Sequence, residues 1–193
     1  MKLIGLTGGV GMGKSTAAGF FLQHGARVVD TDEIARDLVQ PGQSALAEIS
    51  AAFGKEVLKS DGGLDRAELA RRVFADEGAR KKLEAILHPR IRERWMAQVE
   101  LWCKEQVPVA IVVIPLLFET LAENYFDKIT CVACSSASQA ERLRGRGWTV
   151  DQISQRIAAQ MPVELKIARA HFLIWTEGNA ENSRRQIADI LNK

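Results

Sequence analysis

The apolar positions of the chain fall into two kinds of run. Short runs rich in β-branched residues predict buried strands, and longer runs with apolar residues every three or four positions predict helices. The predicted strands cover residues 2–7, 27–30, 109–114, 128–133 and 172–175, and the predicted helices cover 15–24, 31–38, 44–53, 136–144, 151–160, 163–170 and 180–191. Because strands alternate with helices, the pattern predicts an α/β fold of three layers, α/β/α, around a parallel sheet.

A long stretch without a predicted strand separates the second strand from the third. From residue 65 to about 105 the pattern is helical, and Gly78 and His88-Pro89 predict breaks in it, because glycine and proline disfavour a helix interior. We expect a helical insertion at about 61–106 that covers one side of the core. The core itself is then expected at about 1–60, 107–136 and 171–193.

The composition fits such a domain and gives little sign of a macromolecular partner. Of the 193 residues, 47% are hydrophobic, and 26 basic residues nearly balance 24 acidic ones. This balance, with few aromatic residues, gives no reason to expect a nucleic acid or a membrane as partner. No run approaches the roughly 20 apolar residues of a membrane span, and no convincing secretory signal is present. Together with the low number of cysteines, three, this leads us to expect a cytoplasmic location.

Two of the cysteines, Cys131 and Cys134, have the spacing of a C-x-x-C pair. A zinc site would need a second pair or nearby histidines, and a redox pair would precede a helix in a thioredoxin-like setting. Residues 128–134 are instead predicted as a core strand and its end. Buried thiols are therefore the favoured interpretation.

The segment with the clearest chemistry is 8–16, which matches the P-loop pattern G-x-x-x-x-G-K-[ST]. It lies between a predicted strand and a predicted helix, an order that lets loop N–H groups and the positive helix end surround a phosphate. Lys14 is then expected to reach the β- and γ-phosphates of a nucleotide, and Ser15 to bind Mg²⁺. A glycine-rich turn that fits the pattern by chance is the alternative, and the position between strand and helix disfavours it.

Two carboxylates follow the second predicted strand, at the sheet edge where the P-loop is also expected. Transfer of a phosphoryl group to a hydroxyl needs a group that orients the hydroxyl and accepts its proton. Asp32 is the favoured base because it lies just past the strand, and Asp30 is left to orient Lys14 or a metal-bound water. Either aspartate alone could instead cap the next helix, a position that Asp favours.

The chain lacks two features of nucleotide-driven motors and switches. The most apolar strand, 109–114, ends in Ile114-Pro115 without the aspartate that usually helps to hold Mg²⁺, and no Asn-Lys-x-Asp guanine motif occurs. Mg²⁺ is therefore expected on Ser15, the phosphates and water, with Asp32 as an outer partner. Glu119, just beyond the strand, is a second candidate polar contact.

Three arginines, Arg142, Arg144 and Arg146, cluster at the end of a predicted helix. Kinases of small molecules close an arginine-bearing lid that offsets charge in the transition state and excludes water. We expect such a lid at about 137–165. A solvated basic helix face is the alternative, and charge alone does not decide between the two.

Several segments carry a family resemblance when they are taken in order: 6–16, 29–36, 87–91, 115–119, 139–143, 156–162 and Lys166. Over nearly the whole chain they resemble the dephospho-CoA kinase family. The first segment is generic to P-loop proteins. The Asp-x-Asp of the second, the His-Pro of the third and the Pro-Leu-Leu-Phe-Glu of the fourth are more specific in this order.

The resemblance implies that ATP phosphorylates the 3′-hydroxyl of dephospho-CoA, the last step of coenzyme A synthesis, on a P-loop NTPase-type core with a helical CoA-binding insertion and a lid. It implies ATP contacts from Gly11, Met12, Gly13, Lys14, Ser15 and Thr16, and catalytic roles for Asp32 as general base, Lys14 and Arg142 in the lid. The substrate side is expected to include Thr7, Asp32, His88, Arg90, Leu116 and Phe118. The expected cofactor is Mg²⁺, the partners are ATP and dephospho-CoA, and the chain is expected to be a monomer or small homo-oligomer.

Around the last strand the sequence departs from the family pattern. The family usually has Ala-Asp before that strand and Asn-x-Gly after it, whereas this chain has Ala170-His171 and Thr176-Glu177-Gly178. In the family this region lies near the adenine of ATP, so both departures bear on the contacts to the base.

Two other functions compete with this one. The first is another small-molecule P-loop kinase, such as one for nucleoside monophosphates, and the second is a regulatory nucleotide-binding module without transfer chemistry. The Asp-x-Asp segment and the long helical insertion disfavour the first. The presence of Lys14, Ser15 and Asp32 together disfavours the second.

Overall fold

The computed structural model describes residues 1–193, with the exception of the Phe74 side chain. Its strands are β1 (Lys2–Gly8), β2 (Arg27–Asp30), β3 (Val109–Val113), β4 (Lys128–Ala133) and β5 (Phe172–Trp175). Its α-helices are α1 (Lys14–Gln23), α2 (Thr31–Leu38), α3 (Ser44–Phe53), α4 (Arg66–Ala75), α5 (Glu77–Lys104), α6 (Ser136–Arg144), α7 (Val150–Ala158), α8 (Val163–Arg169) and α9 (Ala180–Leu191). Contacts divide the chain into a first unit, Met1–Asp30 with Leu101–Lys193, and a second unit, Thr31–Glu100.

The first unit is built on a parallel sheet with the strand order β2-β3-β1-β4-β5. β1 is central: it pairs with β3, where Leu6 lies opposite Val113, and with β4, where Gly8 lies opposite Val132. β2 pairs with β3 and β5 pairs with β4, also in parallel. Because all strands run in one direction, their carboxyl ends meet at one edge of the sheet, where open α/β sheets bind their ligands.

Helices cover both faces of this sheet. On one face Ile4 and Leu6 of β1 pack in a buried cluster with Phe21 of α1 and Ile187 of α9. On the other face α8 packs against β1 and β4. Each large apolar side chain that is fully buried in this way stabilises the fold by about 1.5–3 kcal/mol. The three-layer α/β/α fold predicted from the alternation of strands and helices is confirmed.

The second unit is helical and has a separate apolar centre. Val39, Ile49, Val57 and Leu69 form its buried part, and partly buried side chains of α3, α4 and α5 pack around them. A short 3-10 turn, Lys55–Val57, follows α3. The helical character predicted for 65–105 is confirmed.

The predicted break at His88-Pro89 is wrong. α5 runs from Glu77 to Lys104 with Pro89 inside it. Proline removes the N–H that would bind the Ala85 carbonyl oxygen, and in the same turn Arg90 donates Nη1 to the neighbouring Ile86 carbonyl oxygen at 2.6 Å. Apolar side chains of the same turn pack against the centre of the second unit, and this one-sided burial stabilises the helix through the proline.

The predicted break near Gly78 is confirmed, since α4 ends at Ala75 and α5 begins at Glu77. Contacts also group residues 31–60 with the helical stretch in the second unit. The bounds of the core, the insertion and the lid stay predictions. Among the described residues, no helix has the length and apolar character needed to cross a membrane.

Cys131 in β4 and Cys134 just after it are buried, free thiols. Burial raises the pKa of Cys131 to about 11, although the charges of Lys166 and Lys14 act in the opposite direction. Burial also raises the pKa of Cys134. The interpretation as buried thiols is confirmed, and their raised pKa values keep both in the protonated, less reactive form.

Candidate active site

The P-loop between β1 and α1 has a backbone that requires glycine. Gly13 has a φ of +94°, in the left-handed region, and directly precedes Lys14, the first residue of α1. At Gly8, where φ is +144°, a Cβ would lie 2.2 Å from the carbonyl oxygen of Val132 on β4. Glycine therefore permits both the close approach to the neighbouring strand and the turn into the helix.

The loop leads into the positive end of α1. The described first turn of this helix contains no acidic residue, and its Ser15 and Thr16 are exposed. Free backbone N–H groups and the helix dipole together favour an anion at such an end. This end also lies at the carboxyl edge of the sheet, as expected for a phosphate site.

Lys14 folds back over the P-loop. Its Nζ donates to the carbonyl oxygens of Gly8 at 2.9 Å and Gly9 at 3.0 Å. A phosphate oxygen carries negative charge and is a stronger acceptor than a neutral carbonyl. The ammonium can therefore exchange these carbonyls for phosphate without leaving the loop.

Arg142 of α6 is fixed beside the P-loop by Thr176. Its Nη1 donates to Thr176 Oγ1 at 2.9 Å, and its Nη2 donates to the Thr176 carbonyl oxygen at 2.6 Å. Thr176 Oγ1 in turn donates to the Met12 carbonyl oxygen at 2.9 Å. One chain of hydrogen bonds thus links Arg142 of α6, the residue after β5 and the P-loop.

A cavity of about 500 Å³ opens beside this chain of hydrogen bonds. Its lining includes Gly13, Thr16, Arg142, Arg146 and Thr176, and none of its described lining residues is acidic. Its volume falls in the range of small-molecule sites, and the two arginines make it basic. α6 ends before Arg146, which reaches the cavity from the following loop.

The two departures from the family pattern lie at opposite ends of β5. Thr176 follows the carboxyl end and lines the cavity. His171 precedes the amino end. Its imidazole Nδ1 accepts a hydrogen bond from the Ile129 backbone N–H at 3.1 Å, and its backbone N–H donates to the Ile129 carbonyl oxygen at 2.8 Å. His171 therefore extends the β4–β5 pairing, whereas Thr176 is the departure that lines the cavity.

The segment after β3 packs against the end of β1. Thr7 Oγ1 donates to the Pro115 carbonyl oxygen at 3.2 Å. Phe118 is buried, with its ring centroid 4.5 Å from the guanidinium carbon of Arg169, whereas Leu116 is half-buried. Of the two predicted substrate contacts in this segment, Leu116 is the more accessible and Phe118 mainly fills the interior.

A fully buried lysine anchors the same segment. Lys166 of α8 donates its Nζ to the Pro115 carbonyl oxygen at 2.7 Å and forms an ion pair with Glu119 Oε1 at 2.8 Å. Glu119 Oε1 also accepts a hydrogen bond from the Met161 N–H at 2.8 Å. The carboxylate predicted as a polar contact is thus engaged with the connection between α7 and α8.

Three predicted site residues, Asp32, His88 and Arg90, belong to the second unit. Asp32 is exposed in the first turn of α2. His88 is half-buried in α5, and this burial lowers the pKa of its imidazole. Arg90 forms an ion pair with Glu48 and donates to the Ile86 carbonyl. The other predicted site residues lie in the first unit: Thr7, Gly11, Met12, Gly13, Lys14, Ser15, Thr16, Leu116, Phe118 and Arg142.

The residues around the P-loop fit Mg²⁺ if phosphate supplies most of its ligands. Ser15 offers an exposed hydroxyl at the start of α1. Within the part of the chain that is described, no group of three or more His, Cys, Asp and Glu side chains is placed to hold a metal ion by itself. Mg²⁺ prefers six oxygen ligands and retains water readily, so a hydroxyl, phosphate oxygens and water form a suitable set.

Nearly the whole chain matches one protein family. The family model for dephospho-CoA kinase matches residues 2–182. The chain belongs to the dephospho-CoA kinase family. A dephospho-CoA kinase from Bdellovibrio bacteriovorus is 42% identical over 191 residues, which cover 99% of this chain and 95% of that protein.

Solved structures support the same assignment of fold. A Thermus thermophilus protein that is 32% identical gives a TM-score of 0.85, with 99% of this chain and 96% of that chain covered. A dephospho-CoA kinase from Campylobacter jejuni is 23% identical and gives a TM-score of 0.66, again with 99% and 96% covered. As a dephospho-CoA kinase family member, the chain is a phosphotransferase that phosphorylates dephospho-CoA with ATP in coenzyme A biosynthesis. The activity predicted from the sequence, phosphorylation of dephospho-CoA by ATP, is confirmed.

The sequence-based prediction assigns no hydrogen-bond partner to four side chains near the P-loop: Gln139, Gln160, Lys166 and Thr176. The first three lie in segments that carry the resemblance to dephospho-CoA kinases, and this position is the signal by which the sequence could have identified them. Their contacts join residues far apart in the chain, which neither hydrophobic pattern nor motif spacing reveals. Thr176 is visible in the sequence as a departure, but its bond to Arg142 is not.

We expect Lys166→Met to lower the free energy of unfolding by about 2–3 kcal/mol, because it removes the buried partner of an ion pair and one donor of the Pro115 carbonyl oxygen. Urea unfolding followed by circular dichroism measures the change. Arg185→Met is the matched control, since Arg185 pairs with Glu181 at 3.8 Å on the surface and its loss should cost at most ~0.5 kcal/mol. Equal stability of the two variants would contradict a structural role for the Lys166–Glu119 pair.

Proposed function

We propose that ATP binds with its phosphates at the P-loop and that its γ-phosphoryl group passes to the 3′-hydroxyl of dephospho-CoA, as the last step of coenzyme A synthesis. The observation that carries the proposal is the meeting of three positive elements in the first unit: Lys14, the start of α1, and a cavity lined by Arg142. Positive charge placed where phosphate charge develops is the main catalytic device of phosphoryl transfer.

In this proposal the P-loop holds the donor. Gly11, Met12, Gly13, Lys14, Ser15 and Thr16 surround the phosphates, with the α1 dipole behind them. Their backbone N–H groups are the donors, except that of Met12, which binds the Gly9 carbonyl oxygen at 3.3 Å. Lys14 exchanges its bonds to the Gly8 and Gly9 carbonyls for the β- and γ-phosphates. The nucleoside then occupies the basic cavity next to the loop.

Arg142 serves as the clamp on the transferring group. Thr176 already fixes its guanidinium through both the hydroxyl and the carbonyl, so little side-chain freedom remains to be lost in the transition state. A pre-oriented cation of this kind stabilises the charge on the phosphoryl oxygens without reorganisation at the moment of reaction.

Asp32 is the general base of the proposal. The oxygen of the 3′-hydroxyl attacks the γ-phosphorus, the bond between this phosphorus and the β–γ bridging oxygen breaks, and ADP leaves with the bond electrons. The hydroxyl proton passes to the Asp32 carboxylate. Its exposed position in the first turn of α2 leaves it accessible to a substrate hydroxyl.

Ser15 would hold Mg²⁺ together with phosphate oxygens and water. When bound, Mg²⁺ neutralises charge on the β- and γ-phosphates. The exposed Ser15 hydroxyl at the first turn of α1 supports this assignment.

The acceptor side of the proposal comprises Thr7, Asp32, His88, Arg90, Leu116 and Phe118, in part on a helical CoA-binding insertion. Leu116 is accessible, whereas Phe118 is buried and would act through the shape of its segment. The lid at 137–165, the cytoplasmic location and the monomeric or small homo-oligomeric state stay predictions.

The acceptor is tested by incubating the chain with Mg·ATP and, in separate reactions, dephospho-CoA, AMP, adenosine and shikimate. Of the four acceptors, we expect only dephospho-CoA to give ADP formation above background. We expect ³¹P and ¹H NMR to place the new phosphate of the product on the ribose 3′-oxygen. Equal background rates with all four acceptors, or a phosphate at another position, would contradict the proposal.

Asp32→Asn should keep ATP binding and lose transfer, because the amide preserves shape but cannot accept the proton. We expect kcat to fall at least ~100-fold, with the Kd of ATP within about twofold of the original value. Asp37→Asn is the matched control, since Asp37 is an exposed aspartate of the same helix. Near-normal turnover of Asp32→Asn would refute the base assignment.

A further inference from the structure

Two glutamines hold the P-loop at Val10. Gln139 of α6 donates Nε2 to the Val10 carbonyl oxygen at 2.8 Å. Gln160, just after α7, accepts a hydrogen bond from the Val10 N–H through Oε1 at 2.9 Å. The two peptide groups on either side of Val10 are therefore both bound by side chains from the lid region, more than 100 residues away in the chain.

The surroundings make these bonds specific. Gln139 is 5% exposed, so its amide is shielded from water that could replace it. A Cβ on Gly9 would lie 3.4 Å from Gln139 Nε2, so the glutamine fits closely against the loop. Each bond also has a required direction, because a peptide N–H needs an acceptor and a peptide carbonyl needs a donor.

Gln160 begins a segment that is anchored elsewhere. The next residue, Met161, donates its N–H to Glu119, and Glu119 pairs with the buried Lys166, which also bonds the Pro115 carbonyl. Residues 160–166 thus contact both the P-loop and the segment after β3. A displacement of the P-loop can therefore be transmitted to the segment after β3, and the reverse, through residues 160–166 and their hydrogen bonds.

We propose that Gln139 and Gln160 are positioning residues for the nucleotide: they fix the peptides around Val10 and so keep the N–H groups of Gly11 and of residues 13–16 directed at the phosphates. The Gln160–Lys166 segment couples this state of the P-loop to the Pro115–Glu119 segment. The inference rests on the proposed binding of ATP at the P-loop, and it assigns to the lid region a task in binding the donor before any closure.

The physical reason is that a phosphate-binding loop binds phosphate more tightly when its donors are already oriented. Without the two bonds the Val10 peptides can rotate, and the N–H groups that follow lose their common direction. Ordering them again on binding then costs conformational entropy, which weakens affinity for phosphates. The basic cavity, where the nucleoside is proposed to lie, is lined by neither glutamine.

The test compares three glutamine-to-glutamate variants of the full chain by calorimetric titration with Mg·ADP. Gln160→Glu keeps an acceptor for the Val10 N–H. Gln139→Glu replaces a donor by a carboxylate that faces the Val10 carbonyl oxygen. Gln155→Glu, at an exposed position of α7, controls for the added charge.

At about pH 8 we expect Gln139→Glu to bind Mg·ADP roughly tenfold more weakly than Gln160→Glu, because the lost donor leaves a partly buried carbonyl opposite a charge. Gln155→Glu should stay within about twofold of the unsubstituted chain. As the pH falls toward about 5, the glutamate at position 139 takes up a proton and becomes a donor, since burial favours its neutral form. The affinity of Gln139→Glu for Mg·ADP, relative to that of the unsubstituted chain, should then recover.

Gln139→Met keeps the size of the side chain, removes the donor and cannot titrate. It should bind Mg·ADP roughly tenfold more weakly than the unsubstituted chain at every pH. If Gln139→Glu does not fold, Gln139→Met replaces it in the test. Equal affinities of Gln139→Glu and Gln160→Glu at pH 8, or no recovery at low pH, would overturn the inference. If the unsubstituted chain itself fails to bind Mg·ADP, the proposed donor site falls, and this inference with it.

Discussion

The structure depends on one constraint: several backbone N–H groups must point at the same small volume in the absence of a ligand. A strand that ends and a helix that begins within a few residues can achieve this only through backbone angles that favour glycine. Gly8 and Gly13 supply these angles, one against β4 and one at the start of α1. The central position of β1 in the sheet gives this loop a rigid base on both sides.

Around this loop, side chains from distant parts of the chain bind backbone atoms. Thr176, which holds Arg142, binds at Met12, Gln139 and Gln160 bind at Val10, and Lys166 binds at Pro115. These bonds satisfy polar groups that would be costly to leave unpaired in partly buried surroundings. They also tie α6, the connection between α7 and α8, and the residue after β5 to the loop, so the basic cavity has walls of fixed geometry.

The sequence was sufficient to predict the strands, the helices and the loop, because each rests on local pattern or local motif. Pro89 shows the limit of local reasoning, since burial and the Arg90–Ile86 bond stabilise a helix through a residue that disfavours it. His171 shows a second limit: its place at the amino end of β5 depends on sheet register, which a motif cannot reveal. The partners of Gln139, Gln160 and Lys166 could not be predicted, because they depend on how segments far apart in the chain pack together.

The central claim is that the P-loop is already in its phosphate-binding form without a ligand. A crystal structure with Mg²⁺ and a non-hydrolysable ATP analogue tests it most directly. The account predicts a P-loop backbone within about 1 Å of its present course, Val10 still bound to Gln139 and Gln160, and Lys14 Nζ moved from the Gly8 and Gly9 carbonyls to the β- and γ-phosphates. Phosphates bound away from the loop, or a loop rebuilt around them with the Val10 bonds broken, would contradict it.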